Sequence, residues 1–375
     1  MERELLALLS ELVAIPSPYP PGDTSRIAAH CGAFFSRAGF SVEIEQGNLV
    51  ARLGSGRPSV VFNAHADTVD VGSRDAWRSE PFEATLQDGR VYGLGACNCK
   101  SSMAVHLWLA REIARRGGPR RGEVVFTFVG DEENLGPRGL LHLREIGAVK
   151  PDLLVVAAQT RNRLVLEERG VMWVRVETRG RAAHAGAPHT GDSAILGMMQ
   201  VIAALERLAA RTSPTGQRSS LSVGRIRGGD NINVVPDHCV IELDRRILPQ
   251  EHFDEAFQEI KSTCEKAGAS AVELLTGTPG FSAPEDGPGA KAFAEAIRAV
   301  TGKAPERLNV VGASDARYFA RDGIEILVTG PGDGADSHKP NESVALDEVV
   351  EAAHIQLAAA SSLLEVRGQS PISSA

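Results

Sequence analysis

A chain of 375 residues with 43% hydrophobic and 23% charged residues has the composition of a soluble globular protein, and its length favours two domains over one. Its formal net charge of -8 excludes the clustered cations that nucleic acid or an anionic membrane surface would call for, and leaves a small-molecule or peptide substrate as the expectation. The five cysteines are an odd number scattered along the chain, so they read as reduced thiols of a cytoplasmic protein rather than a disulfide framework.

The first residues, Met1-Glu2-Arg3-Glu4-Leu5-Leu6, are charged and amphipathic and lack the apolar stretch of a secretory signal. No apolar run approaches the roughly 18 residues that span a bilayer. Residues 2–13 carry a helical period that breaks at the proline-rich Ile15 to Gly22, and helical spacing resumes over 24–38. Residues 40–53 alternate as two short strands around Gln46-Gly47-Asn48. Apolar runs at 59–63, 122–129, 152–158 and 324–329 read as buried strands, with a helix over 101–116. Each run ends in polar or glycine-rich sequence, so four strand ends are expected to converge on one site.

From 170 to 277 the order becomes strand, helix, strand, strand, helix, strand, with helices at 193–211 and 250–267, which is the ferredoxin-like pattern. The expected fold class is α/β: a mixed-sheet catalytic domain from 1–169 and 278–375, with an inserted α+β domain over 170–277. The last helix runs to about 364, and 366–375 reads as an unstructured tail.

Four segments carry chemistry. In Asn63-Ala64-His65-Ala66-Asp67 a histidine just beyond a strand suits a metal, with the carboxylate orienting its ring. Asp131-Glu132-Glu133 offers adjacent carboxylates, one to bind metal and one to deprotonate water. The loop from Gly330 to Glu342 delivers His338. His184, in Gly180-Arg181-Ala182-Ala183-His184, sits inside the inserted domain where it could face a developing oxyanion. Two further segments, Gly229 to Pro236 with Asp244-Arg245-Arg246, and Gly312-Ala313-Ser314-Asp315-Ala316-Arg317, supply arginine forks for a substrate carboxylate. Taken singly, each motif also fits a bland structural role; their joint order does not.

In that order the segments resemble the zinc amidohydrolase and exopeptidase family of acetylornithine deacetylase, succinyl-diaminopimelate desuccinylase, carboxypeptidase G and aminoacylase, over nearly the whole chain. The resemblance implies a zinc-exopeptidase-like catalytic domain and a lid domain that also dimerises the protein. It implies His65, Glu133 and His338 as zinc ligands, Glu132 as general base, and Asp67 as the carboxylate behind the first histidine. It further implies His184 as the lid histidine and Asn233 and Arg246 as substrate contacts; Ser314, Arg317 and Gly332 stand beside them as candidate substrate-binding residues.

Two ligand positions depart from the family pattern. The bridging aspartate of Gly-Arg-Gly-Ala-x-Asp-Met-Lys-Gly becomes Asn98 in Gly93-Leu94-Gly95-Ala96-Cys97-Asn98-Cys99-Lys100-Ser101, and the glutamate opening Glu-Pro-Thr becomes Ala158 in Ala158-Gln159-Thr160. A neutral amide cannot offset the repulsion of two close divalent ions. The expectation is therefore one zinc ion rather than two, or none, held by His65, Glu133 and His338 with Asn98 as a weak further donor. Cys97 and Cys99 flank the altered position, either as compensating thiolates or, the favoured reading, as small packing residues. Arg161 is a candidate for positive charge in place of a lost zinc.

The expected function is an amidohydrolase acting on an N-acyl amino acid or small peptide with a free carboxylate. The alternatives are a metal-poor or metal-free enzyme of acyl transfer, condensation or cyclisation, and a non-catalytic binding homologue.

Overall fold

The computed structural model describes residues 1–308 and 312–367; the expected tail beyond 367 and the segment 309–311 lie outside the described residues. The chain divides into two compact units. Of the described residues, the first comprises Met1–Leu166, Ala283–Leu308 and 314–367; the second comprises Glu167–Ser282 with 312–313.

The first unit is built on a six-stranded mixed sheet ordered Ser41–Glu45, Asn48–Gly54, Glu123–Val129, Ser59–His65, Leu153–Val156, Glu325–Val328. The last four strands run parallel to one another, while the first two form an antiparallel hairpin at one edge. That hairpin turns through Gln46 and Gly47, both at positive φ, as a two-residue connection demands. Alternate strand residues face a helical layer: Val60, Phe62 and Ala64, with Val124, Phe126 and Phe128, join the core made by Glu2–Val13, Ser25–Arg37, Lys100–Arg115, Pro288–Thr301 and Leu346–Leu364. The helix Lys100–Arg115 is buried along most of its length, and its His106 is sandwiched among Phe62, Phe126 and Phe128.

The second unit is a four-stranded antiparallel sheet ordered Ser220–Gly228, His238–Ile247, Gly170–Arg179, Ala271–Thr278, with helix Ala194–Leu205 following Gly170–Arg179 in the chain and helix Phe253–Lys266 following His238–Ile247. That is the ferredoxin-like arrangement. The helix expected over 193–211 stops at Leu205. Arg211 is drawn away from it: its backbone N–H donates to Ser219 Oγ at 2.8 Å and its guanidinium pairs with Glu251 at 2.8 Å and Glu259 at 3.1 Å.

Candidate active site

Parallel strands leave their carboxyl ends at one edge, where each chain turns into a loop. His65 is the last residue of Ser59–His65 and lies opposite Val129, so the acidic triplet Asp131-Glu132-Glu133 begins two residues beyond its partner. Loop 130–138 closes on itself. Asp131 adopts φ 66° and accepts from the Arg138 backbone N–H at 2.9 Å and the Arg138 guanidinium at 3.0 Å. Buried Asn48 ties this loop to the hairpin, accepting from Gly130 N–H at 3.0 Å and donating to the Arg138 carbonyl at 2.8 Å. Asp131 is thus spent on structure, and Glu132 and Glu133 are left to face the site.

The His65 ring and the Glu133 backbone are both anchored to Asp67, which is fully buried. Its Oδ2 accepts from Glu133 N–H at 3.1 Å, while its carbonyl and Oδ1 lie 3.0 and 3.5 Å from His65 Nδ1. An imidazole nitrogen facing two oxygens carries a proton.

Asn98 arrives from loop 93–99, which is held by one carboxylate. Buried Glu342 accepts from the backbone N–H groups of Gly95, Cys97 and Asn98 at 3.1, 2.9 and 2.7 Å. Gly332 lies beneath the same loop at φ 90°, where a Cβ would come within 2.6 Å of Cys97 Sγ, so only glycine fits. The Cys97 thiol donates to the Asp333 carbonyl at 3.4 Å and accepts from Ser337 Oγ at 3.7 Å. Burial pushes the Cys97 thiol up to about 12 and also raises Cys99, so neither is a ready thiolate.

The Asn98 side chain reaches four partners. Its Oδ1 faces His65 Nε2 at 2.8 Å and accepts from Gln159 Nε2; its Nδ2 donates to Glu133 Oε1 at 2.8 Å and lies 2.8 Å from His338 Nε2. His338 Nε2 also meets Glu133 Oε1 at 3.0 Å. The amide orientation follows from chemistry, because a carboxylate oxygen only accepts and therefore requires the amide nitrogen opposite it.

Glu132 completes the group, with Oε2 3.9 Å from His65 Nε2. Burial pushes its carboxyl up to about 8, opposed by His65 and Arg317 and reinforced by Asp315 and Glu133. Burial alone would lower the His65 pKa, but Glu132, Cys99 and Asp67 together hold it well above the usual imidazole value. The oxygens opposite both ring nitrogens account for the direction of that shift.

Behind Glu132 lies a second buried layer. Asp315 accepts from Asn63 Nδ2 at 3.4 Å and lies 3.9 Å from the Arg317 guanidinium. Arg317 donates to the Tyr318 hydroxyl at 2.7 Å, and Tyr318 donates in turn to the Gly136 carbonyl at 2.7 Å, returning to the acidic loop. Ser314 caps this turn, accepting from Ala316 N–H at 3.3 Å. Ala158 lies just past its strand and offers no donor atom, whereas its neighbour Gln159 reaches Asn98. Arg161 instead pairs with Asp333 near the surface, and its side chain is 55% exposed.

His184, Asn233 and Arg246 belong to the second unit. His184 is exposed, and its Nδ1 accepts from Gly186 N–H at 3.0 Å, which leaves the ring proton on Nε2 as a donor. The Ala185 N–H donates to the Asn233 carbonyl at 2.9 Å, so those two loops lie together. Arg246 Nε donates to Asp244 Oδ1 at 2.8 Å, and the other oxygen of that carboxylate is held by Trp173 Nε1 at 2.8 Å.

A sequence profile of peptidase family M20/M25/M40 matches residues 61–362. The chain belongs to that family. It is 32% identical over 367 residues to a succinyl-diaminopimelate desuccinylase of Bordetella petrii, covering 92% of this chain and 94% of that one. Its fold is that of an M20 family metallo-carboxypeptidase from Sulfolobus solfataricus (TM-score 0.80, 17% identity, 97% and 100% coverage). It also matches a dinuclear metal-binding M20 peptidase from Bacillus subtilis (TM-score 0.74, 16% identity, 98% and 99% coverage). This chain is therefore an M20-family hydrolase, and M20 enzymes are metal-dependent.

The donor set of this M20 member can be tested against that dependence. Two divalent ions about 3.5 Å apart repel by roughly 19 kcal/mol even at an effective dielectric near 20, so the ligands must bring negative charge between them. Here an amide stands between the two histidines, and its N–H groups point at Glu133 and His338. The residues present do not fit a pair of ions. They do fit one: ligand atoms of His65, Glu132 and Glu133 lie within 4.8 Å of one another. His338, which the sequence groups with His65 and Glu133, is joined to that trio through Glu133.

The sequence reading left three residues without a role that the structure gives one. Gln159 was legible only as the neighbour of an absent ligand, and Glu342 only as the end of a glycine-rich loop. Tyr318 carried no signal.

Proposed function

We propose that this M20 hydrolase cleaves the amide bond of an N-acyl amino acid or small peptide with a free carboxylate, using Glu132 to deprotonate the attacking water. The observation that carries this is the buried pair of Glu132 and His65, 3.9 Å apart, with Glu133 anchored beside them on Asp67. A carboxylate held at a high pKa both takes and returns a proton near neutral pH. In the first step water oxygen bonds to the amide carbon while its proton passes to Glu132. In the second, Glu132 returns that proton to the amine nitrogen as the C–N bond breaks, giving a carboxylic acid and an amine, and the acid then passes its proton to the amine.

A single zinc ion would be held by Glu133 and by His65 once the Nε2 proton that faces Asn98 is given up, where it would polarise the carbonyl and acidify the water. The second unit supplies groups of the chemistry the family resemblance implies: His184 as an Nε2–H donor for the oxyanion, and Arg246 and Asn233 for the substrate carboxylate. Ser314 and Arg317, buried in the layer behind Glu132, are proposed to position that carboxylate rather than to touch substrate as the sequence suggested. Homodimerisation through the second unit belongs to the same proposal, with a sedimentation measurement as its check. No helix of the described residues is long and apolar enough to cross a membrane, and all five cysteines are free and buried, which supports a reducing, cytoplasmic setting.

The test is a panel of N-succinyl and N-acetyl amino acids and dipeptides, each paired with its C-terminal amide. Hydrolysis is expected for the acids and lost for the amides; no turnover with any compound sinks the reading. The uncharged amide at Asn98 favours a second reading in which an amine replaces water as acyl acceptor, and the same panel run with added amines detects it as a transfer product.

A further inference from the structure

The side chains of Asn98 and Gln159 form a chemistry that a metal site does not need. Gln159 follows Ala158, where the third parallel strand leaves the sheet without an acidic ligand, and its Nε2 donates into Asn98 Oδ1. Asn98 therefore receives hydrogen bonds at its oxygen from His65 and Gln159, and gives them from its nitrogen to Glu133 and towards His338. The groups that face Asn98 are thus engaged by an uncharged partner where a bridging carboxylate would stand, and Ala158 adds no ligand of its own. The carrier of this amide is also fixed: its backbone N–H is held by Glu342 at 2.7 Å, and loop 93–99 is clamped at two further amides. Asn98 itself is only 8% exposed.

We infer that Asn98 and Gln159 form an amide bridge that occupies the place of the second metal ion, so the chain holds no ion pair, and His65 is tied to Glu133 and His338 by hydrogen bonds instead. The inference deepens the proposed hydrolase reading and rests on the same site. It makes a physical distinction from a centre that has merely lost ligands. Loss alone leaves buried polar groups facing one another across a gap without partners, which is costly. The bridge satisfies them. The bridge is also specific to the amide: an aspartate at 98 would set an acceptor against Glu133, and this pairing is tolerable only with a cation between them.

The experiment is metal stoichiometry on the full chain. Protein stripped with chelator is loaded with excess zinc, desalted and measured by elemental analysis, alongside Asn98→Asp and the double variant Asn98→Asp/Ala158→Glu. Wild type is expected to retain one ion per chain or fewer, and the double variant about two. Wild type retaining two ions would overturn the bridge, whatever its activity. So would a double variant with wild-type circular dichroism and melting temperature that holds no more zinc than wild type. If the double variant fails to fold, the wild-type count and Asn98→Asp, a nearly isosteric change, still decide: a folded Asn98→Asp with unchanged zinc content counts against the bridge. A wild type with no ion leaves the bridge standing and removes only the single-zinc part of the proposed function, and absence of hydrolysis does not touch the count.

Discussion

The two halves of the site were built from the same kind of scaffold and then treated differently. On one side, His65, Asp67, Glu132 and Glu133 keep charged groups in a buried setting, each oriented by a neighbour's backbone or carboxylate. On the other, loop 93–99 keeps its full clamp on Glu342 while the residue it presents is uncharged, and the strand ending at Val156 is followed by Ala158. Scaffold and cargo are thus separable. A loop can hold its geometry through backbone amides while the side chain at its tip changes the charge of the site.

The largest expected effect lies in the charged half. Glu132→Gln removes the proton acceptor while keeping volume, and kcat should fall by a factor of about 10³ or more, roughly 4 kcal/mol of barrier, with fold unchanged by circular dichroism. Activity surviving that change would mean the charged half is scaffold too. In wild type, the ionised form of Glu132 is the active one, and its carboxyl is raised to about 8. Activity should therefore rise with pH and level off above about 8, a limb visible in a kcat/KM profile; a profile flat from pH 6 to 9 would remove Glu132 from the role of base.

In the neutral half the effect should fall on stability instead. Glu342→Ala leaves three buried backbone N–H groups without an acceptor and is expected to cost on the order of 3–6 kcal/mol in denaturant midpoint measurements. A loss below about 1 kcal/mol would show that the loop keeps its shape by other means.

The smallest effect is a control from the far face of the same strands. Burial pushes the His106 pKa down to about 3, and neither ring nitrogen has a partner among the described residues. Its folded-state pKa lies below the unfolded value near 6.5, so the unfolded chain binds the extra proton between the two. Stability is then full above about pH 6.5 and falls as pH drops towards 3. His106→Leu should flatten that slope and raise stability by about 1–3 kcal/mol near neutral pH, read by calorimetry at pH 5 and 8. An unaltered slope would place the acid sensitivity in the active-site carboxylates.

The sequence by itself determined the α/β class, the ferredoxin-like second unit and the family. Period-two and helical spacing survive without knowledge of contacts, and motif order along 375 residues is hard to reproduce by chance. It also set Asn98 and Ala158 against the ligands that the family resemblance implies, because residue type is visible in one dimension. Only the tertiary structure decided what became of them. Asn98 and Gln159 are 61 residues apart, and Asn98 and His338 are 240 apart, so no local pattern announces that their side chains meet. The same holds for Arg161, whose charge turns to Asp333, and for Glu342, whose carboxylate folds back on a loop 245 residues earlier. Hydrogen-bond partners across a sheet edge are chosen by which strand ends lie side by side, and that order, unlike periodicity, is a property of the whole chain.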